Sequence, residues 1–423
     1  MTSARSDIRS SLGARALLEV LGHAGDASLS ERIAALPPAQ LDEFLRLAFE
    51  HDVAPLVHRS LQTSGALDAL PATECARLES DRRGTALENL RKYGEFNRIA
   101  QALGRNGIPV IALKGLHLAE LVYADISLRS MSDLDLLVPA ERLGEAYKVL
   151  QALEYGTVES MRGAVQDILA TSKCELGLAH RRSNLWLELH WTLSEPPERY
   201  AGLLEDAWRT AVRVKLGDAD ASVLSPELLL VHVCVHLAYS HVFVSTVRAL
   251  CDVAEIVRVH PGLDWAAVSG IARKHGFARG VAATLRLAAD NLAVQVPEAV
   301  RETLGVDTLD PVLLADAAEH LLSSIDIPHE LRTGPNVVAV AGGDRLAERL
   351  ALLWNRVFVT PAELTLLYGV PEGSPWLGFY YVVRLRDLAR KYGAGLRLLK
   401  GADPDLAAAA ARHARLARWV SGN

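Results

Sequence analysis

Asp133 and Asp135 stand two residues apart in the run Ser132, Asp133, Leu134, Asp135, Leu136, Leu137, Val138, and that spacing carries chemistry. Side chains two apart on a strand share a face, so both carboxylates point one way. Two such charges repel unless a cation lies between them, and a hard divalent ion with oxygen ligands suits that place. Upstream, Lys114 and Gly115 follow an apolar run at residues 110–113. Gly115 opens a short helical segment carrying Leu116, Leu118, Leu121 and Val122. A strand that turns through glycine into a helix presents free backbone N–H groups to phosphate. Lys114 adds a positive charge beside that turn. A phosphate-binding turn followed by a carboxylate pair implies metal-assisted phosphoryl or nucleotidyl chemistry.

Lys114-Gly115, followed by Arg129-x-x-Ser132-Asp133-x-Asp135-Leu136-Leu137-Val138-Pro139, resembles a bacterial family of uncharacterised nucleotidyltransferases within the polymerase-beta-like superfamily. The superfamily pattern is a glycine pair or Gly-Ser at a helix start, a D-x-D or D-x-E strand, and a third acid on a later strand. Here the turn is Lys-Gly-Leu, so the usual serine contact to phosphate is absent. The resemblance implies transfer of a nucleoside monophosphate from a nucleoside triphosphate to an acceptor hydroxyl, with pyrophosphate released. Asp133 and Asp135 would hold one or two Mg²⁺ ions. In the family the third acid occupies an E-L-H-W position, which here is Glu188. Glu188 would complete the metal cage or serve as base to the acceptor. Lys114 and the Gly115 turn would hold the outer phosphates, while Arg129 and Ser132 would either contact phosphate or brace the loop. The family also carries helical histidines and a later Asp, which implies a substrate-side wall at His232, His236 and Asp252.

The elements that must position these residues follow from periodicity. Residues 1–106 read as helices: Leu41, Phe44, Leu45 and Ala48 recur at i, i+3, i+4 and i+7, as do Phe96, Ile99, Ala100 and Leu103, with Asn106-Gly107 as a stop. Residues 107–195 form the mixed α/β part. After Pro139, Leu143, Tyr147 and Leu150 line a helix that ends near residues 154–156. Residues 174–179 and 185–193 pair as strands across the polar turn at 180–184. Glu188 lies between Leu187 and Leu189 on the second of these, with His190 on its own face, placed to orient a metal ligand or acceptor or to serve a structural role. Residues 196–423 read as helical again. Ser225-Pro226-Glu227 is an N-cap with proline at N1. His232 and His236 then share a helix face, and Arg248 and Asp252 are likewise four apart. Two histidines at that spacing can bind zinc, but no Glu follows His232 and no third ligand is evident. The expected fold is α+β, mostly helical, with a small mixed-sheet nucleotidyltransferase-like core between helical flanks.

Composition narrows the class. The chain has 423 residues, half of them hydrophobic, which suffices for a large core built as two or three subdomains. A net charge of −6 and a pI near 6.2 argue against general nucleic-acid binding. The four cysteines show neither metal-type spacing nor a disulfide framework and fit a reducing, cytoplasmic interior. The first eleven residues contain no continuous apolar core, so they do not read as a signal peptide. The apolar run at 228–247 holds His232, His236, Tyr239, Ser240 and His241, which are costly in hydrocarbon, so no transmembrane segment is expected. Ala341, Gly342, Gly343 and Asp344 read as a loop rather than a nucleotide fingerprint. Trp376, Phe379, Tyr380 and Tyr381 beside Arg384, Arg386 and Arg390 make an aromatic-basic helix, fit to touch a membrane or partner, or to pack with its basic side in water. Asp403-Pro404 caps an Ala-rich final helix.

The expected partners are a nucleoside triphosphate and a small-molecule, peptide or protein acceptor. Two rival readings stay open: a nucleotide-binding or regulatory protein without turnover, and a metal-dependent phosphohydrolase built on His232, His236 and Asp252.

Overall fold

The computed structural model describes residues 11–157, 174–244, 246–322, 374–388 and 404–422, with single positions between 357 and 368. The first ten residues, the 341–344 loop and Arg390 lie outside the described residues.

The fold is α+β and mostly helical, around one seven-stranded mixed sheet. Its strands are β1 (Ile111–Ala112), β2 (Leu134–Leu137), β3 (Tyr155–Thr157), β4 (Glu175–His180), β5 (Trp186–His190), β6 (Val212–Leu216) and β7 (Ala219–Val223), in the order β3-β4-β5-β2-β1-β7-β6. β2 runs parallel to β5 and antiparallel to β1, and β1 runs parallel to β7. The hairpin read from residues 174–193 forms as β4 and β5. Two features differ from the periodic reading. The chain past Glu154 pairs as β3 on β4, and β6–β7 extends the sheet beyond residue 195. β3 is only three residues long and shows no alternation, whereas β6 and β7 alternate apolar and polar residues on either side of Gly217-Asp218.

The sheet separates two apolar layers. Leu134, Leu136, Leu187 and Leu189 face Tyr93, Phe96, Ile99 and Leu103 of the long helix Ala72–Arg105, with Leu143 and Leu150 of Leu143–Ala152 beside them. Asn106 and Gly107, the latter at φ 62°, end the long helix where the sequence places its stop. Ile111, Leu113 and Leu137 belong to the other layer, with Leu228 and Leu237. There the helix Pro226–Val235 is buried from Leu228 to Val235, and Ser225 caps it by accepting from the Leu228 amide. It runs on into a π-helical turn, His236–Ser240. A second π-helical turn, Leu118–Val122, follows the short helix Lys114–His117. Such turns widen the helix and recur at functional sites; here both adjoin the residues described below.

Among the described residues no helix is long and apolar enough to cross a membrane. In the aromatic-basic stretch, Trp376 and Phe379 are 66% and 57% exposed, so those rings are not packed away. The final helix, Pro404–Ser421, docks on Pro311–Leu322 through Arg415 to Asp316 at 2.7 Å.

Candidate active site

β2 begins at Leu134, so Asp135 lies within the strand and Asp133 stands one residue before it. The parallel register sets Asp135 against Glu188 and Leu136 against Leu189. Because the leucines face the long helix, alternation sends Asp135 and Glu188 together to the opposite face. His190 completes that face: its Nε2 is 3.0 Å from Asp135 Oδ1 and 3.5 Å from Glu188 Oε2. Its Nδ1 lies 3.3 Å from Glu175 Oε2, which β4 places opposite His190.

Lys114 approaches Asp135 from the end of β1. Its backbone takes φ 35°, a left-handed conformation uncommon outside glycine, so the chain turns sharply there. The Leu113 amide, donating to the Asp135 carbonyl at 3.0 Å, fastens the turn to β2. Lys114 Nζ then lies 3.5 Å from Asp135 Oδ1 and 3.0 Å from His236 Nε2. Gly115 lies under the loop leading to Asp133: a Cβ there would meet Met131 Cγ at 2.9 Å. Glycine thus serves a close approach of loop to turn.

The electrostatics of the two aspartates differ in sign. Burial alone raises the pKa of Asp135 at a cost of several kcal/mol. A unit charge at 3.5 Å returns about 5 kcal/mol at an effective dielectric near 20. Lys114 and His190 together therefore win and hold the Asp135 carboxyl well below the usual carboxylate range. Asp133 has no ion-pair partner among the described residues, only the Ser132 hydroxyl donating to Oδ1 at 2.9 Å. Burial and the charge of Asp135 push its carboxyl up. Burial works against charge on Lys114 and His190 too, but the neighbouring carboxylates overcome it, raising both above their ordinary values. His236 goes the other way: burial and the Lys114 charge hold it well below its ordinary value, so it is neutral and its Nε2 accepts from Lys114.

The ligand atoms of Asp135, Glu188 and His190 all lie within 4.8 Å of one another, as do those of Cys174, Glu175 and His190. The first set, with Asp133 at its margin, supplies mainly carboxylate oxygens. Asp133, half-buried and raised by desolvation and a like charge, is the kind of group a divalent cation would relieve. These residues fit a hard ion such as Mg²⁺.

The structure thus brings Lys114, Asp133, Asp135, Glu188, His190 and His236 together, with Ser132 on Asp133 and Gly115 beneath the loop. Arg129 and Asp252 pair with each other instead: Nε and Nη2 of Arg129 reach Oδ1 and Oδ2 of Asp252 at 3.2 and 3.0 Å. Tyr123 Oη also donates to Asp252, at 2.9 Å. This buried clamp ties the loop before Asp133 to the helix Val247–Val259. Arg129 therefore braces the loop, and Asp252 is occupied. His232 is buried, with no hydrogen-bond partner for Nε2 among the described residues, and burial with the Lys114 charge pushes it down to about 3. Among the described residues, His232, His236 and Asp252 do not form a metal-ligand group.

Sequence reasoning passed over Glu175, Cys174 and Tyr123. A usable signal existed for Glu175: a hairpin closed between His180 and Leu185 places residue 175 opposite residue 190. Tyr123 gave none, because its partner lies on a distant helix.

No curated protein matches this chain. Among solved structures, the crystal structure of an antigenic nucleotidyltransferase-like protein from Paracoccidioides brasiliensis is similar at 14% identity and a TM-score of 0.31, over 50% of this chain and 96% of that one. The family described as uncharacterised nucleotidyltransferase matches residues 37–293. That span takes in the long helix, the strands that carry the acids and the helix of His236, and is more than half of the sequence; the chain belongs to the uncharacterised nucleotidyltransferase family.

Proposed function

We propose that this protein transfers a nucleoside monophosphate from a nucleoside triphosphate to an acceptor hydroxyl, with release of pyrophosphate. The observation that carries this reading is the register pairing of Asp135 with Glu188 on one sheet face, with Lys114 at 3.5 Å from Asp135. Asp133, Asp135 and Glu188 would hold one or two Mg²⁺ ions, which supply charge neutralisation at the phosphoryl oxygens. Lys114, aimed by neutral His236, binds the outer phosphates and stabilises the charge that builds on the leaving pyrophosphate. Glu188 is 23% exposed against 6% for Asp135, so of the two register partners it is the one open to an acceptor. It takes the proton of the acceptor hydroxyl as that oxygen bonds to the α-phosphorus and the bond to pyrophosphate breaks. His190 holds both carboxylates in place.

A second reading, nucleotide binding without turnover, draws support from the Lys-Gly-Leu turn, which lacks a hydroxyl and is covered by Met131. The phosphohydrolase reading draws none, since Asp252 is held by Arg129 and Tyr123. The test is incubation of the protein with α-labelled nucleoside triphosphates, Mg²⁺ and a cell extract. Label joined to an acceptor with stoichiometric pyrophosphate supports transfer. Orthophosphate release without labelling, or nucleotide binding with neither product, contradicts it.

A further inference from the structure

Beside the acids, between the long helix and the loop that leads to Asp133, lies an open cavity of about 660 Å³. Phe49, Arg77, Thr85, Asn89, Lys92 and Ser130 line it. Lys92 is only 6% exposed, yet among the described residues its ammonium has no hydrogen-bond acceptor and no ion-pair partner. A buried, unpaired ammonium is costly, and such groups are normally matched by an opposite charge. Two acids, Asp81 and Glu88, also line the cavity; neither forms an ion pair with Lys92, although the Glu88 charge is felt there. Glu88 is paired with Arg91 at 2.9 Å. Burial and the nearby charge of Asp52 push the Asp81 carboxyl up, and Arg77 opposes the shift. Arg77 adds a second positive group, stacked over the Phe49 ring at 3.9 Å and paired with Glu74 at 3.7 Å. Asn89 is fixed by donating to the carbonyls of Ile126 and Arg129, so this wall and the loop before Asp133 are one unit.

We propose that this cavity is an anchoring subsite for an oxyanion group, phosphate or carboxylate, on the acceptor substrate, with Lys92 as its counter-charge. The volume suits a small molecule or the end of a larger one. The subsite adjoins Asp133 closely enough for the two charges to be felt, whereas Lys114 stands on the sheet face by Asp135. Donor phosphates and acceptor anion would then occupy separate cationic groups. This assignment of the cavity to the acceptor rests on the transferase reading; the anion site itself does not.

The test is binding of inorganic phosphate and, in a parallel arm, acetate, followed by calorimetry in EDTA. Wild type and Lys114→Ala should bind one of these anions equally. Lys92→Gln should bind it at least tenfold more weakly, with a melting temperature equal to or above that of wild type, since an unpaired charge is removed. A non-hydrolysable nucleoside triphosphate with Mg²⁺ should leave the anion bound. Loss of anion binding in Lys114→Ala but not Lys92→Gln, or binding of neither anion to wild type, overturns the subsite. Displacement by the triphosphate assigns Lys92 to the donor and overturns its acceptor role. If the protein transfers nothing yet phosphate binding still depends on Lys92, the transferase reading fails while the anion site stands.

Discussion

The carboxylates of Asp135 and Glu188 are register partners on adjacent parallel strands, and the single imidazole of His190 lies within 3.0 Å of one and 3.5 Å of the other. Asp133, two residues before Asp135 and one before the strand begins, has no share in that arrangement. The two aspartates of the D-x-D pair therefore have opposite effects on the metal-free protein.

Asp135→Asn should destabilise the metal-free protein by roughly 3 kcal/mol, because Lys114 and His190 lose the charge that compensates them in a buried setting. Asp133→Asn should leave stability unchanged or slightly higher, since it removes a charge that burial and Asp135 disfavour. Urea denaturation in EDTA measures both. Equal losses in the two variants would contradict the asymmetry.

That asymmetry marks the limit of what the sequence conveys. The spacing of Asp133, Asp135 and the Lys114-Gly115 turn was legible, because strand alternation and a glycine turn are local properties. The β4–β5 hairpin was legible from two apolar runs around a polar turn. Which cation meets which acid was not, because Lys114, His190 and His236 come from three separate elements. The Arg129–Asp252 clamp was equally hidden, since it joins positions 123 residues apart. β6 and β7 were legible but passed over: Val212, Val214 and Leu216 alternate with Arg213 and Lys215, and Ala219, Ala221 and Val223 with Asp220 and Ser222, across the Gly217-Asp218 turn.

The pH dependence should separate the same two residues. Asp133 has a folded pKa above its unfolded value of 3.8, so its contribution is favourable below that value and is lost as pH rises through the folded pKa. Asp135 has a folded pKa below 3.8, so its contribution is present above 3.8 and lost as pH falls toward the folded pKa. Any stability advantage of Asp133→Asn over wild type should thus be larger at pH 7 than at pH 4. The deficit of Asp135→Asn should shrink as the pH is taken below 3.8. Denaturant midpoints between pH 3 and pH 7 in EDTA check both trends, and an advantage for Asp133→Asn that grows toward acid would contradict the assignment.

Lys114→Ala should raise the apparent KM for nucleoside triphosphate by at least about tenfold, the scale of one charge-assisted phosphate interaction. Binding of the matching nucleoside monophosphate should change little, because the Lys114 ammonium serves the outer phosphates, which a monophosphate does not carry. Steady-state kinetics and monophosphate calorimetry measure the two effects. Equal weakening of both ligands would place Lys114 in a purely structural pair with Asp135.

The central claim is that three acids serve nucleotidyl transfer and that Glu188 faces the acceptor. Its most direct measurement is Glu188→Gln, followed by single-turnover transfer from α-labelled nucleotide and by nucleotide binding in Mg²⁺. The account predicts binding within a few-fold of wild type and transfer slower by at least about a hundredfold, the scale of removing a positioned base. Transfer at a near-normal rate, or loss of nucleotide binding and folding together, would contradict it.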